Sequence, residues 1–300
     1  EVVAETDAEE DEQTVLNQES QDKIQILENM IELYYHEEVS DDVLREGLYE
    51  GILASLEDPY SEYYTPEEFQ AIMEQTEGIY FGIGAYISTN TDTGLTMISG
   101  LIPNTPAAES GLLPGDQIYK VDGEDVTGLT SEKVGMRIKG EENTEVTLTI
   151  IREGEADTLD FVITRKKIES PTITYEQYED GIAYISIMEF DEITLTQFEE
   201  ALAKAKEADM KGLVLDLRDN PGGNLDTVNE IARLLLPKGL IVYTEDKYGE
   251  RVEYKCDGKN EIQVPLVVLV NGNSASASEI LAGAIKDYKK ETILGTTTYG

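Results

Sequence analysis

One cysteine, one histidine and no tryptophan stand in a chain of 300 residues, and basic residues are outnumbered 23 to 62 by acidic ones. The lone Cys256 rules out an intramolecular disulfide and a multi-cysteine zinc site, and it leaves the redox compartment open. The lone His36 lies near the N-terminus beside Glu37 and Glu38, so a Ser-His-Asp arrangement would have to recruit it across the whole chain. A surface or interface position suits it better, with pH sensing as its remaining use. The formal charge of -39 repels phosphate backbones and anionic lipid surfaces, which argues against nucleic acid as a partner and against electrostatic membrane attachment. No apolar run reaches the ~18 residues of a spanning helix. The chain begins at Glu1 rather than methionine, so the expectation is an export signal or membrane anchor upstream that was removed or left out. Both fit an extracytoplasmic protein, whether secreted, held in the cell envelope or membrane-anchored.

What is present suffices for two or three domains, since 40% of the residues are hydrophobic. Residues 1–20 read as an acidic disordered linker: Glu1 to Glu12 holds seven acidic residues and no basic one, which fits a tail and a juxtamembrane spacer equally. Residues 21–77 read as a helical region. Ile24, Ile26, Leu27, Met30, Ile31, Leu33 and Tyr34, then Val43, Leu44, Leu48 and Ile52, recur at helical spacing, with a break near Ser40. Such a pair packs on its own chain or forms a homodimer, and the pattern does not choose. Thr65, Pro66 and Glu68 give the cap, first position and N3 residue of one more helix.

Residues 78–166 change to short β-like runs between glycine and proline turns, at Ile79–Ile87, Leu95–Gly100, Gln117–Val121, Val146–Ile151 and Leu159–Ile163. Residues 167–300 alternate strand and helix: strands at Ile182–Ile187, Gly212–Leu217, Leu240–Tyr243, Leu266–Val270 and Thr292–Leu294, helices at Thr196–Ala208, Asn224–Leu236 and Ser276–Tyr288. That spacing predicts an α/β layer fold with parallel pairing.

Three segments carry chemistry. Tyr80-Phe81-Gly82-Ile83-Gly84-Ala85 places two glycines ahead of a β-run, as suits a loop whose N–H groups hold an anion, or a simple bulge. Leu213 to Asn224 is a buried-looking strand that runs into Asn220-Pro221-Gly222-Gly223, a turn that leaves N–H groups free. Val270 to Ile280 crowds Ser274, Ser276 and Ser278 onto a strand-to-helix turn, where a nucleophile would sit; Ser276 with Glu279 is equally a helix capping box. Asp216, Arg218 and Asp219 fit an ion-pair network bracing the glycine turn. No metal, nucleotide or other cofactor site is visible: the glycine loop lacks a phosphate-loop lysine, and the acidic pairs lack calcium-loop spacing.

The run from Ile102 to Gly123, with Ser110-Gly111 and Pro114-Gly115-Asp116, closely resembles the PDZ signature. That resemblance implies capture of a free peptide C-terminus by Phe81, Gly82, Ile83 and Gly84, with the peptide added as a strand. Together with the serine and glycine turns it resembles the carboxyl-terminal processing, or tail-specific, peptidases over roughly Gly47 to Gly300. The fold this implies is an α/β, crotonase-like serine-peptidase core with an inserted β-rich PDZ domain and an N-terminal helical segment. By position in the family motif, Ser276 is the nucleophile, Ala277 gives one oxyanion N–H, and Gly222 or Gly223 gives the other. Ser274 and Ser278 are then packed turn residues.

The family pairs its serine with a neutral lysine amine, a Ser-Lys dyad. That lysine lies about twenty-five residues after the nucleophile in a Gly-Lys-Gly sequence, one position past Gly300 here. Lys286, ten residues along the helix, sits about 15 Å away by helical rise; it, Lys289 and Lys290 read as solvated. The expectation is therefore a core cut short at its C-terminal end and a chain inactive by itself. The alternative is a non-catalytic PDZ scaffold.

Overall fold

The computed structural model describes residues 14–288 and 292–300, apart from the side chains of Glu67 and Gln75. Most of the acidic stretch, and Lys289 and Lys290, lie outside the described residues. The chain divides into two units, residues 1–70 and 71–300.

The first unit is helical. Helix α1 (Gln18–Tyr34) starts at Asn17, whose side chain accepts the Ser20 N–H, and α2 (Asp41–Ala54) starts at Ser40, which caps Val43 in the same way. Neither helix buries a residue, and Ile26, Leu27, Met30, Leu33, Val43 and Ile52 stand exposed. His36, in the break between them, is exposed against Glu37. Helix α3 (Pro66–Glu77) crosses into the second unit and has the anticipated cap: Thr65 N–H donates to Glu68 Oε2 at 2.9 Å, and Glu68 N–H to Thr65 Oγ1 at 3.3 Å.

Sequence periodicity offered one strand over Ile79–Ile87, but the structure breaks it at Ile83 and Gly84. Strand β1 (Ile79–Gly82) turns away to pair with β8 (Lys166–Glu169), while β2 (Ala85–Thr89) joins a separate antiparallel sheet. Gly84 permits the turn: at φ +81° an added Cβ would lie 2.4 Å from Thr105 Cβ, so no other residue fits without movement. The sheet continues with β3 (Thr96–Leu101), β4 (Gln117–Val121), β6 (Glu145–Ile151) and β7 (Leu159–Thr164), in the order β2-β3-β4-β6-β7, with β5 (Glu124–Asp125) on β4. Helix α4 (Pro106–Ser110) ends at Gly111 in the left-handed conformation, and α5 (Ser131–Ile138) packs over β2. Strand β2 is the sheet's edge. Ile98, Ile118, Leu148 and Ile150, each fully buried, centre a core of their own.

The second core belongs to a five-stranded sheet. Strands β10 (Ile182–Ile187), β11 (Gly212–Asp216), β14 (Leu266–Val270) and β15 (Thr292–Gly295) run parallel, and β9 (Ile173–Gln177) adds antiparallel at the edge. Helices α6 (Glu192–Glu207), α7 (Leu225–Arg233) and α8 (Ala277–Asp287) cover it, and a hairpin of β12 (Gly239–Glu245) and β13 (Arg251–Cys256) packs against α7 and α8. Two strands, β9 and β13, gave no clear sequence signal; their burial alternates weakly, with most residues at least partly exposed. Cys256 is buried and unpaired.

Candidate active site and peptide-binding groove

Strands β11 and β14 are parallel neighbours, in register from Leu213↔Leu266 to Asp216↔Leu269. Their C-terminal ends therefore lie side by side, the edge of an α/β sheet where ligands bind. Each strand ends in a turn that opens a helix, so two motifs some fifty residues apart meet there.

The turns are locked together by polar contacts. Ser274 and Ser278 are fully buried, and their hydroxyls donate across to the carbonyls of Leu217 (2.6 Å) and Asn220 (3.0 Å). Ala275 N–H donates to Asn220 O at 3.1 Å. Asp219 takes the Asn271 and Asn273 side-chain amides at 2.9 and 2.8 Å, bonds that hold its carboxyl below the usual range. Burial pushes the Asp216 carboxyl up, but the Arg218 guanidinium and the Tyr184 hydroxyl (2.8 Å) outweigh it and keep it ionised. The acidic cluster thus splits, Asp216 pairing with Arg218 and Asp219 with two asparagines.

Ser276 stands apart from its neighbours. It is exposed, and its backbone lies at φ +50°, ψ -112°, outside the regions an L-residue prefers. Its N–H donates to Glu279 Oε2 at 2.9 Å. The other carboxylate oxygen, Oε1, accepts Gly300 N–H at 2.9 Å, and Tyr299 N–H reaches Ser274 O at 3.0 Å. One ionised carboxylate therefore ties the serine turn to the last residues of the chain; burial raises its pKa, but bonds from Thr298, Gly300 and Ser276 bring it below normal. The capping-box spacing pointed to Glu279 only as a cap.

The glycines differ in what they face. A Cβ on Gly222 would lie 2.8 Å from Ser276 Cβ and 3.0 Å from Ala277 N; one on Gly223 would strike Phe190 O at 2.5 Å. Gly222 thus faces the serine and Gly223 backs onto the end of β10. Gly222 N–H is engaged by Asn220 Oδ1 at 2.8 Å. Among the described residues no protein acceptor takes the N–H of Gly223 or of Ala277, the latter in the first turn of α8. Lys286 is exposed in the last turn of α8.

At the edge of the antiparallel sheet an apolar cavity of about 140 Å³ lies between β2 and α5, lined by Tyr80, Gly82, Ile83, Gly84, Ile87 and Gly135 among others. Ile83 and Gly84 spend their carbonyls on the Ala107 and Ile102 N–H groups, and their own N–H groups meet no protein acceptor among the described residues. Phe81 does not line the cavity; its side chain is on the exposed face of β1, and Tyr80 takes that place. Strand alternation would have distinguished the two had β1 been separated from β2. Helix α5 supplies the far wall and was not anticipated. Its short pattern, Val134 and Ile138 around Gly135, is too sparse to show helical periodicity, although Thr130 caps it.

Residues 181–300 match the model of peptidase family S41, residues 97–152 that of a PDZ domain, and residues 1–68 that of the activating protease CtpB N-terminal domain. The chain is similar to a carboxyl-terminal-processing protease of Synechocystis (36% identical over 84% of the chain and 60% of the relative). It is also similar to a probable CtpA-like serine protease of Staphylococcus aureus (34% identical, 95% of the chain and 58% of the relative). The solved photosystem II D1 C-terminal processing protease superimposes with a TM-score of 0.48 at 29% identity, covering 92% of this chain and 75% of that one. The chain spans about three-fifths of the length of these curated relatives. With an S41 peptidase domain, a PDZ domain and an α/β core, the chain belongs to the carboxyl-terminal processing serine proteases.

Proposed function

We propose that the protein is an extracytoplasmic endopeptidase whose PDZ domain holds substrate C-termini and whose Ser276 cleaves peptide bonds as the nucleophile of a Ser-Lys dyad. The observation that carries this is the setting of Ser276, exposed and strained beside two N–H groups without acceptors. Ser276 Oγ attacks the scissile carbonyl carbon, and its proton passes to a neutral lysine amine supplied by the segment that follows Gly300. The carbonyl oxygen becomes an oxyanion held by Ala277 N–H and Gly223 N–H. Gly223 is preferred to Gly222 because the Gly222 N–H already has a partner. The carbon–nitrogen bond then breaks, the lysine returns the proton to the leaving amine, and water hydrolyses the acyl-enzyme.

In the PDZ groove the free N–H groups of Ile83 and Gly84 take the terminal carboxylate, the edge of β2 pairs with the peptide backbone, and the small apolar cavity takes the last side chain. The test uses the chain extended through its following residues and a peptide with an apolar C-terminus. Cleavage is expected, lost in Ser276→Ala; cleavage persisting in that variant removes the nucleophile role. Weaker binding on amidating the peptide is expected, and unchanged binding removes the carboxylate role. A folded, peptide-binding chain without cleavage would instead mark a scaffold.

A further inference from the structure

Three cavities of the second unit share walls. The peptide cavity behind β2 shares Tyr80, Ile87, Gly135 and Lys139 with a cleft of about 810 Å³ between the PDZ sheet and the peptidase core. That cleft shares Glu189 and Asp191 with a further cavity of about 330 Å³, whose wall includes Gly223. The three cavities thus adjoin one another in a row from Ile83 and Gly84 to the glycine turn at Gly223, along which a peptide anchored by its C-terminus could lie.

The cleft has an uneven charge. Lys139 is the one cation among its described lining residues, and it is spent on Glu74 at 2.9 Å, with its ammonium 5.0 Å from the centre of the Tyr80 ring. Glu132, Glu189 and Asp191 remain without an ion-pair partner among the described residues. Asp191 is the telling one. It is 6% exposed, lines both cavities at the N-terminus of α6, and presses against Gly78, where a Cβ would meet its Oδ2 at 2.9 Å. A carboxylate so enclosed is costly to ionise without a cation, and burial together with Glu189 raises its pKa to about 7.

We propose that this cleft is a subsite for a lysine or arginine side chain, carried by the substrate between its captured C-terminus and the scissile bond. The inference rests on the PDZ reading above and adds a substrate class to it: tails ending in an apolar residue with a cation upstream. A guanidinium or ammonium there supplies the positive charge that Glu189 and Asp191 lack.

Binding to the chain as it stands tests this without catalysis. Peptides sharing one apolar C-terminal residue, with lysine, glutamine or glutamate walked along the upstream positions, are titrated by fluorescence anisotropy at low salt. At one or two adjacent positions the lysine peptide should bind about 5- to 20-fold tighter than the glutamine peptide, and the glutamate peptide more weakly than either. The lysine preference should fall to about one in a Glu132→Gln, Glu189→Gln variant and persist in Glu153→Gln, Glu155→Gln, which removes the same charge from an exposed turn of the PDZ unit. It should also shrink from pH 8 to pH 6 as Asp191 takes up a proton among Glu189, Glu132, Glu74 and Lys139, and lose that dependence in Asp191→Asn. Equal affinity for the three peptides at every position overturns the proposal. So does a preference indifferent to position that survives Glu132→Gln, Glu189→Gln, which would reflect only the net charge. Amidated peptides run alongside report on the PDZ reading separately: if they bind as well as free acids, that reading fails whatever the lysine result.

Discussion

At the residue scale, the two glycines beside Ser276 make separable predictions. Gly222→Ala places a methyl group against Ser276 Cβ at a backbone φ of +113°. By displacing Ser276 it should lower kcat/KM by about 100-fold or more, a loss comparable to that of an oxyanion donor; both variants should lower the melting temperature because both glycines hold a positive φ, and Gly223→Ala the more because its Cβ meets the Phe190 backbone. Steady-state kinetics and thermal melts on both variants of the extended chain check this; equal melting temperatures would contradict the packing argument. Asp191 gives a pH prediction. Its folded pKa, about 7, lies above the ordinary aspartate value of 3.8, so the folded state binds the proton more tightly and this group's contribution to stability falls as pH rises from about 4 to 7. Asparagine caps a helix about as well as aspartate. Asp191→Asn should therefore raise the melting temperature at pH 8 and change it little at pH 4, as calorimetry at the two pH values would show.

At the element scale, the meeting of the two turns at the candidate site was legible because each motif sits at the end of an apolar strand. Leu213 to Asp216 and Leu266 to Val270 read as buried strands, and parallel neighbours bring their C-terminal turns together. The strand between Ile79 and Ile87 was legible as extended chain but not as two partners, since apolar content does not reveal that Gly84 turns away around Thr105. Helix α5 escaped because its eight residues offer few apolar positions, yet it walls the peptide groove. Its C-terminal end is held by Arg165, which donates to Ile138 O at 2.7 Å and Glu145 O at 2.8 Å while nearly buried. Truncating it in Arg165→Ala leaves those carbonyls unpaired at a cost of about 1–3 kcal/mol. Peptide affinity and PDZ stability should fall together, which hydrogen exchange in α5 would reveal. Leu215→Ala, in the centre of the other core, should cost about 2–5 kcal/mol by denaturant melt.

At the scale of the whole molecule, the charge of -39 was plain in the sequence, and among the described residues most ion pairs are exposed contacts between residues close in sequence, with Lys139–Glu74 and Arg152–Asp116 as long-range exceptions. Self-repulsion of this kind is screened by salt. The midpoint of thermal unfolding should rise between about 10 mM and 150 mM sodium chloride, over which the Debye length falls from ~30 to ~8 Å; a flat response would show the charges already compensated. The unpaired Asp191 and the shared cavity walls were not legible, because burial of a polar residue depends on neighbours distant in sequence.

The ribbon of β1 and β8 carries one last consequence. The PDZ domain leaves and re-enters the core through two adjacent strands, and at their base Ser170 N–H donates to Gly78 O at 2.8 Å. Entry and exit are thus already one hydrogen bond apart, as in a cassette. Excising residues 79–169 and closing the gap with a short glycine linker should leave the five-stranded sheet folded, and the same two positions should accept a foreign domain whose termini lie close together.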